Sequence, residues 1–108
     1  VKRRPLSELL RLPIRTAGID LARAVDALVL DDRLVGFEVV GGDGVRRFLP
    51  LGAARIGERE IEVASALVFL DERTLAYYRA HASSARRLGL PDMWVEEDGR
   101  LSSALSVA

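Results

Sequence analysis

The sequence predicts a mainly β protein: a small antiparallel β-barrel of five or six short strands, followed by a C-terminal α-helix and a short terminal hairpin. Three observations predict it. Apolar residues recur at alternate positions through the stretch from Asp26 to Leu51. Turn-forming residues punctuate that stretch at Asp31-Asp32 and at Gly41-Gly42-Asp43-Gly44. The long run of helix-forming residues, Glu72 to Leu88, follows the strands instead of alternating with them, which argues against a βαβ fold. The expected division is a barrel over 1–70 and an extension over 71–108, with the helix at about 72–88.

Each element has a local cause. Ser7 is placed as N-cap of a single helical turn, Ser7 to Leu10, with Pro5 just before it. Pro13 to Thr16 reads as a short edge strand, because proline is tolerated at a strand start. Ala17 to Asp20 is a turn. From Leu21 to Leu30 apolar residues occupy both parities, so this strand needs cover on both faces. Leu34 to Val40 is the return strand, with Val35, Phe37 and Val39 on one face and Gly36 and Glu38 on the other. Val45 to Leu51 comes next, and Pro50 near its end requires an edge or a bulge. Ala53 to Ile56 and Glu60 to Ala64 are two short strands around Gly57, with Ile61 and Val63 on one side. Asp71 is the helix N-cap and Gly89 its stop, confirmed by Pro91. Leu75, Tyr78, Ala82 and Ala85 share one helical seam. Asp98-Gly99 closes the last hairpin, and Ser102 to Ala108 reads as a frayed tail.

Composition narrows the function. Sixteen basic residues balance sixteen acidic ones, whereas nucleic-acid binders usually carry a basic excess. The chain has no cysteine, which removes disulfides, thiolate metal sites and thiol nucleophiles and fits a reducing compartment. Apolar runs such as SALVFL are too short to cross a bilayer, and no apolar signal core follows the basic start. A cytoplasmic protein without membrane insertion is expected. Fifteen arginines to one lysine suggest a GC-rich bacterial genome, and the absence of Asn and Gln fits a thermophile.

The SELL lead, the DALVLD strand, the VGFEVV return, a glycine loop, an arginine pair, FLPL and a hairpin closing at IEV together resemble the PRC-barrel domain. That module is named after the photosynthetic reaction-centre H subunit and also forms the C-terminal barrel of a ribosome maturation factor. The resemblance covers roughly residues 6 to 70. Asp26, Asp31, Gly36, Pro50 and Leu51 fall on its pattern, while Arg11, Ala22 and Ala24 depart from it. It implies a stand-alone bacterial barrel used as a docking surface, without catalytic apparatus.

The candidate chemistry is sparse. His81, the single histidine, has no second imidazole or thiol to share a metal. Asp31-Asp32 and Glu96-Glu97-Asp98 flank turns, where adjacent carboxylates diverge. The glycine loop lacks the lysine and hydroxyl of a phosphate loop. Asp26 shares parity with Leu28 and Leu30, so it needs a hydrogen-bond partner if buried. No acid, base and nucleophile are placed together, so no catalytic residue, metal or cofactor is expected. The strand with two apolar faces and the helix seam together offer more cover than one small barrel needs, which predicts a homodimer. Leu75, Tyr77, Tyr78 and Trp94, with Arg46 and Arg47, are the expected interface. The alternative reading is an RNA- or ribosome-assembly accessory using the arginine pairs, whose binding falls steeply with salt.

Overall fold

A computed structural model describes residues 3–89 and 93–102 of the chain. Its architecture is mainly β. The elements run β1 (Arg4–Pro5), α1 (Leu6–Leu9), β2 (Pro13–Thr16), β3 (Ile19–Leu30), β4 (Arg33–Gly41), β5 (Arg46–Pro50), β6 (Arg55–Ile56), β7 (Ile61–Glu62), α2 (Glu72–His81), β8 (Ser83–Ser84), α3 (Ala85–Leu88), β9 (Trp94–Val95) and β10 (Leu101–Ser102). Short 3-10 turns at Leu51–Ala53 and Ala66–Val68 join the later pieces.

The main sheet follows the order β5-β4-β3-β2-β7-β6, with β8 added to β3. Its strand path is open: β5 and β6 are its ends and do not pair with each other. The β2–β7 pair is parallel, the others antiparallel. Because β2 takes β3 on one side and β7 on the other, it is an interior strand and not the expected edge. The parallel partner lies far along the chain, so nothing near Pro13 announces it. Pro50 does sit on the terminal strand β5, where its missing N–H leaves no interior ladder broken.

Asp31 and Asp32 both have positive φ, at 50° and 64°. That is the two-residue turn whose twist suits a tight hairpin, and aspartate tolerates it better than most side chains. Bulges then bend the β3–β4 ladder. The register passes from Ala24↔Val39 to Asp26↔Glu38 and from Leu28↔Gly36 to Val29↔Leu34, so Val25 and Val35 are the extra residues. Val35 therefore leaves the face expected for it and packs with the second apolar cluster, while Leu34 joins Phe37 and Val39 in the main core.

The two faces of β3 feed two clusters. Ala24, Ala27 and Val29 enter the main core with Ile14, Phe37, Val39, Leu49 and Ile61. Leu28 enters a smaller cluster with Phe48 and Leu75, where α2 lies over β5. The strand thus has the double cover that its composition demands.

The continuous helix expected over 72–88 is broken. It runs from Glu72 to His81, turns extended at Ala82, pairs Ser83 and Ser84 with Val29 and Leu28, and resumes as α3. Serine costs about 0.5 kcal/mol relative to alanine inside a helix. Ser84 instead caps α3 by accepting from Arg87 N, a role serine fills well, at about 1 kcal/mol. Gly89 stops α3 with φ 69°, as the sequence indicates, and Asp71 caps α2 through Thr74 N. Pro91 lies outside the described residues.

At the start of the chain, Leu6 is the first helical residue and Pro5 occupies the cap, so Ser7 is inside the turn and not its N-cap. The hairpin around Asp98-Gly99 forms, but β9 also pairs with β1, making a three-stranded sheet β1-β9-β10. Ser102 belongs to that sheet and not to a tail, whose remaining residues, 103–108, lie outside the described ones.

Two substitutions probe this arrangement. A Cβ at Gly36 would stand 2.4 Å from both Leu49 O and the Phe48 ring. Gly36→Ala is therefore expected to destabilise by about 2–3 kcal/mol through overpacking, read as a lower urea midpoint. Phe37, fully buried, is expected to cost about 3–5 kcal/mol as Phe37→Ala in the same assay.

Candidate functional site

A group of aromatic and charged side chains lies where α2 packs over β5. Leu75 is buried against Phe48 and Leu28, and one turn later Tyr78 stacks on the Phe48 ring at 4.1 Å between centroids and 13° between planes. Tyr77 meets Tyr78 edge-on at 5.4 Å, and His81 lies 4.3 Å from the Tyr77 ring. The ladder begins in the core and ends in solvent, with Tyr77 59% exposed.

Beneath the helix, Glu38 is the one charged residue in the buried class among the described residues. Burial alone would raise its carboxyl, but hydrogen bonds from Arg79 and Arg46 outweigh that and hold it below the usual carboxylate range. Arg79 donates through Nε at 3.0 Å and Nη2 at 2.7 Å, and Arg46 through Nη1 at 2.6 Å. Both guanidinium groups remain about half exposed. In the sequence Glu38 shares with Gly36 the face of its strand opposite Phe37 and Val39, and nothing local to it announces the two arginines.

The expected interface residues divide among several places. Leu75 and Tyr78 pack in cis on their own sheet. Tyr77 stays exposed beside them. Arg46 and Arg47 point to opposite faces of β5: Arg46 reaches Glu38, while Arg47 pairs with Asp43 of the glycine loop at 3.0 Å. Trp94 lies in the other sheet, half-buried, with the Arg3 guanidinium 5.4 Å from its ring centre. The expected interface residues therefore do not form one surface: Tyr77 is on α2, Arg46 and Arg47 are on β5, and Trp94 is on β9.

The family-pattern positions have local roles. Asp26 is half-buried and accepts hydrogen bonds from the Ser84 hydroxyl, Arg86 N at 3.2 Å and Ala27 N at 2.8 Å. It thereby ties β3 to the break between α2 and α3. Asp31 makes the positive-φ turn, Gly36 admits the Phe48 ring, and Leu51 packs partly against the main core.

A second candidate is a half-open cleft of about 820 Å³ between α1, the β6–β7 turn and the β9–β10 hairpin. Its floor is Leu9, Leu51, Ile56 and Val95. Arg4 stitches across it, donating to Gly57 O, Glu58 O and Glu8. Arg3 Nε lies 2.8 Å from Glu96 Oε2, an ion pair without hydrogen-bond alignment. The lining contains neither hydroxyl nor imidazole side chains, and His81 is on α2, outside it. Among the described residues no group of three or more His, Cys, Asp or Glu is placed to hold a metal. No helix among them is long and apolar enough to cross a membrane.

No family model, curated protein or solved structure matches the chain.

The Glu38 node generates a coupled prediction. Arg46→Ala and Arg79→Ala should each cost about 1 kcal/mol, because the other arginine still compensates the carboxylate. Together they should cost more than the sum, about 3 kcal/mol, since Glu38 is then buried without a cation. With its folded-state carboxyl held low, Glu38 stabilises fully above its ordinary value of 4.5 and loses that contribution as pH falls. The stability difference between wild type and Glu38→Gln should therefore shrink below about pH 4.5, measured by urea unfolding at a series of pH values.

Proposed function

We propose that the chain is a non-enzymatic docking module, built on a curled sheet of the PRC-barrel kind, that binds a protein partner and also associates with itself. The observation that carries the reading is the ladder Phe48–Tyr78–Tyr77. It presents one exposed tyrosine on a support fixed in the core, on the helix whose Arg79 joins Arg46, both half-exposed, over Glu38. Tyrosine and arginine are enriched at the energetic centres of protein interfaces, and a ring already held in place loses little freedom on binding. The PRC-barrel part draws on the resemblance of residues 6 to 70 and on one core shared by β2, β3, β4, β5 and β7.

The non-enzymatic reading draws on the state of the ionisable groups. Glu38 is held between two arginines, Asp26 is occupied by Ser84 and Arg86, and two of the four carboxylates lining the cleft, Glu8 and Glu96, face Arg4 and Arg3. Each has a structural partner in place of a reacting one. A cytoplasmic setting belongs to the same proposal. Nucleic acid is the less favoured partner because Arg46 and Arg47 are engaged by Glu38 and Asp43, and Arg86 donates to Val25 O.

The experiment is quantitative affinity capture from the native host with the full chain and its Tyr77→Ala variant as paired baits. The reading expects specific proteins to be depleted about tenfold or more with the variant, as for loss of an interface anchor. Identical protein sets on both baits would remove it, and capture dominated by RNA that dissociates steeply with salt would favour the nucleic-acid alternative.

A further inference from the structure

The half-open cleft between α1, the β6–β7 turn and the β9–β10 hairpin takes no part in the Tyr77 face, and its walls are tied in place. Arg4 joins α1 to the β6–β7 turn by donating to Glu8 and, at 3.1 Å, to Glu58 O. The hairpin is held to the β3–β4 turn by Leu34 N donating to Gly99 O and Leu101 N to Asp32 O, both at 2.8 Å. Gly99 packs so closely on Leu51 that an added Cβ would stand 2.9 Å from Leu51 Cδ2. A cleft of about 820 Å³ with walls fixed in this way has the size and the preformed shape of a small-molecule site.

The lining sets the chemistry of an occupant. Leu51, Ala54 and Ile56 are half-buried and leave apolar surface open to the cleft, backed by the buried Leu9 and Val95. The charges around this floor do not balance. Four carboxylates, Glu8, Glu58, Glu96 and Glu97, line it with only two guanidinium groups, Arg3 and Arg4, in a chain whose sixteen basic and sixteen acidic residues cancel. Arg4 is committed to Glu8 and Arg3 to Glu96. Glu58 and Glu97 are exposed and form no ion pair with a described residue. The backbone of the β6–β7 turn offers little besides: Gly57 O and Glu58 O already accept from Arg4, and Gly57 N donates to Glu60 O at 2.8 Å.

We infer that the cleft binds a small organic cation with an apolar body, of the alkylammonium or arylammonium class. The apolar body covers Leu51, Ala54 and Ile56, and the cationic head is drawn to the two carboxylates without a guanidinium partner, Glu58 and Glu97. An anion meets an excess of like charge there, and a cation without an apolar body gains nothing from the floor. An extended peptide fits less well, because a docked strand is held by free backbone donors and acceptors, and those of the β6–β7 turn are taken. None of the lining residues comes from α2, so the cleft is independent of the Tyr77 face and of what docks there.

Titration of the isotope-labelled full chain with octylammonium at neutral pH, followed by amide NMR shifts, tests it. Octanoate carries the same chain with the opposite charge, and methylammonium the same head without the chain. Octylammonium is expected to bind saturably, with shifts concentrated at Gly57, Val95 and Gly99, and about fivefold or more tighter than either matched probe. Glu58 and Glu97 are exposed, so glutamine at both should leave the melting temperature unchanged. That double variant, Glu58→Gln with Glu97→Gln, is expected to bind octylammonium about fivefold more weakly and to lose the preference over octanoate. Tyr77→Ala is expected to bind as wild type does. Equal binding of octanoate or of methylammonium overturns the proposal. So does an unaltered affinity in the double variant, or no saturation up to about 10 mM octylammonium. Loss of the Tyr77-dependent partner in affinity capture, by contrast, bears on the docking reading alone.

Discussion

A strand that is apolar on both faces has to be covered twice, and β3 is such a strand. Its twelve residues send Ala24, Ala27 and Val29 into one cluster and Leu28 into another. Burying one large apolar side chain contributes about 1.5–3 kcal/mol, more than most local preferences in this chain. The rest of the architecture follows from satisfying both faces at once. One side is covered by the main core, to which β2, β4, β5 and β7 contribute Ile14, Phe37, Leu49 and Ile61. The other is closed by α2, which lays Leu75 across Leu28 and Phe48.

The length of β3 also explains the break in the helical region. Its first part carries β2 on one edge, while β4 occupies the opposite edge through to the turn. The last residues of the first edge would be left unpaired, and Ser83–Ser84 fills that place by pairing with Val29 and Leu28. Backbone groups in a covered sheet need partners, which outweighs the small gain from keeping two serines helical. Asp26 holds the junction through Ser84 and Arg86, so a polar residue on an apolar strand becomes the hinge between strand and helix. Ala85 then reaches the main core although Leu75 of the same seam reaches the smaller one.

This cover in cis changes the meaning of the surface. A doubly apolar strand and an alanine-rich seam look like unsatisfied demand for a partner, and within one chain that demand is met. What remains outside is smaller and more specific: an exposed tyrosine supported from the core, and a cleft whose carboxylates outnumber its guanidinium groups. The strand ends, meanwhile, give little opportunity for pairing with another sheet. β5 is terminated by Pro50 and bridged at Phe48 by Leu70, and β6 has only two residues.

The sequence by itself determined the elements whose causes are local. Apolar residues on both parities marked β3 and alternation marked β4, Asp31-Asp32 and the glycine loop marked their turns, and Asp71 and Gly89 marked the ends of the helical region. These signals act within a few residues, so they survive whatever the chain later packs against. The tertiary structure decided what depends on contacts between distant segments. The parallel β2–β7 pair, the union of β1 with β9, the strand inside the helical run and the two arginines over Glu38 join residues that no local spacing relates. The same holds for Val35, which changes face because a bulge inserts it into the ladder. Which surfaces stayed outside was settled last, after both faces of β3 had found their cover.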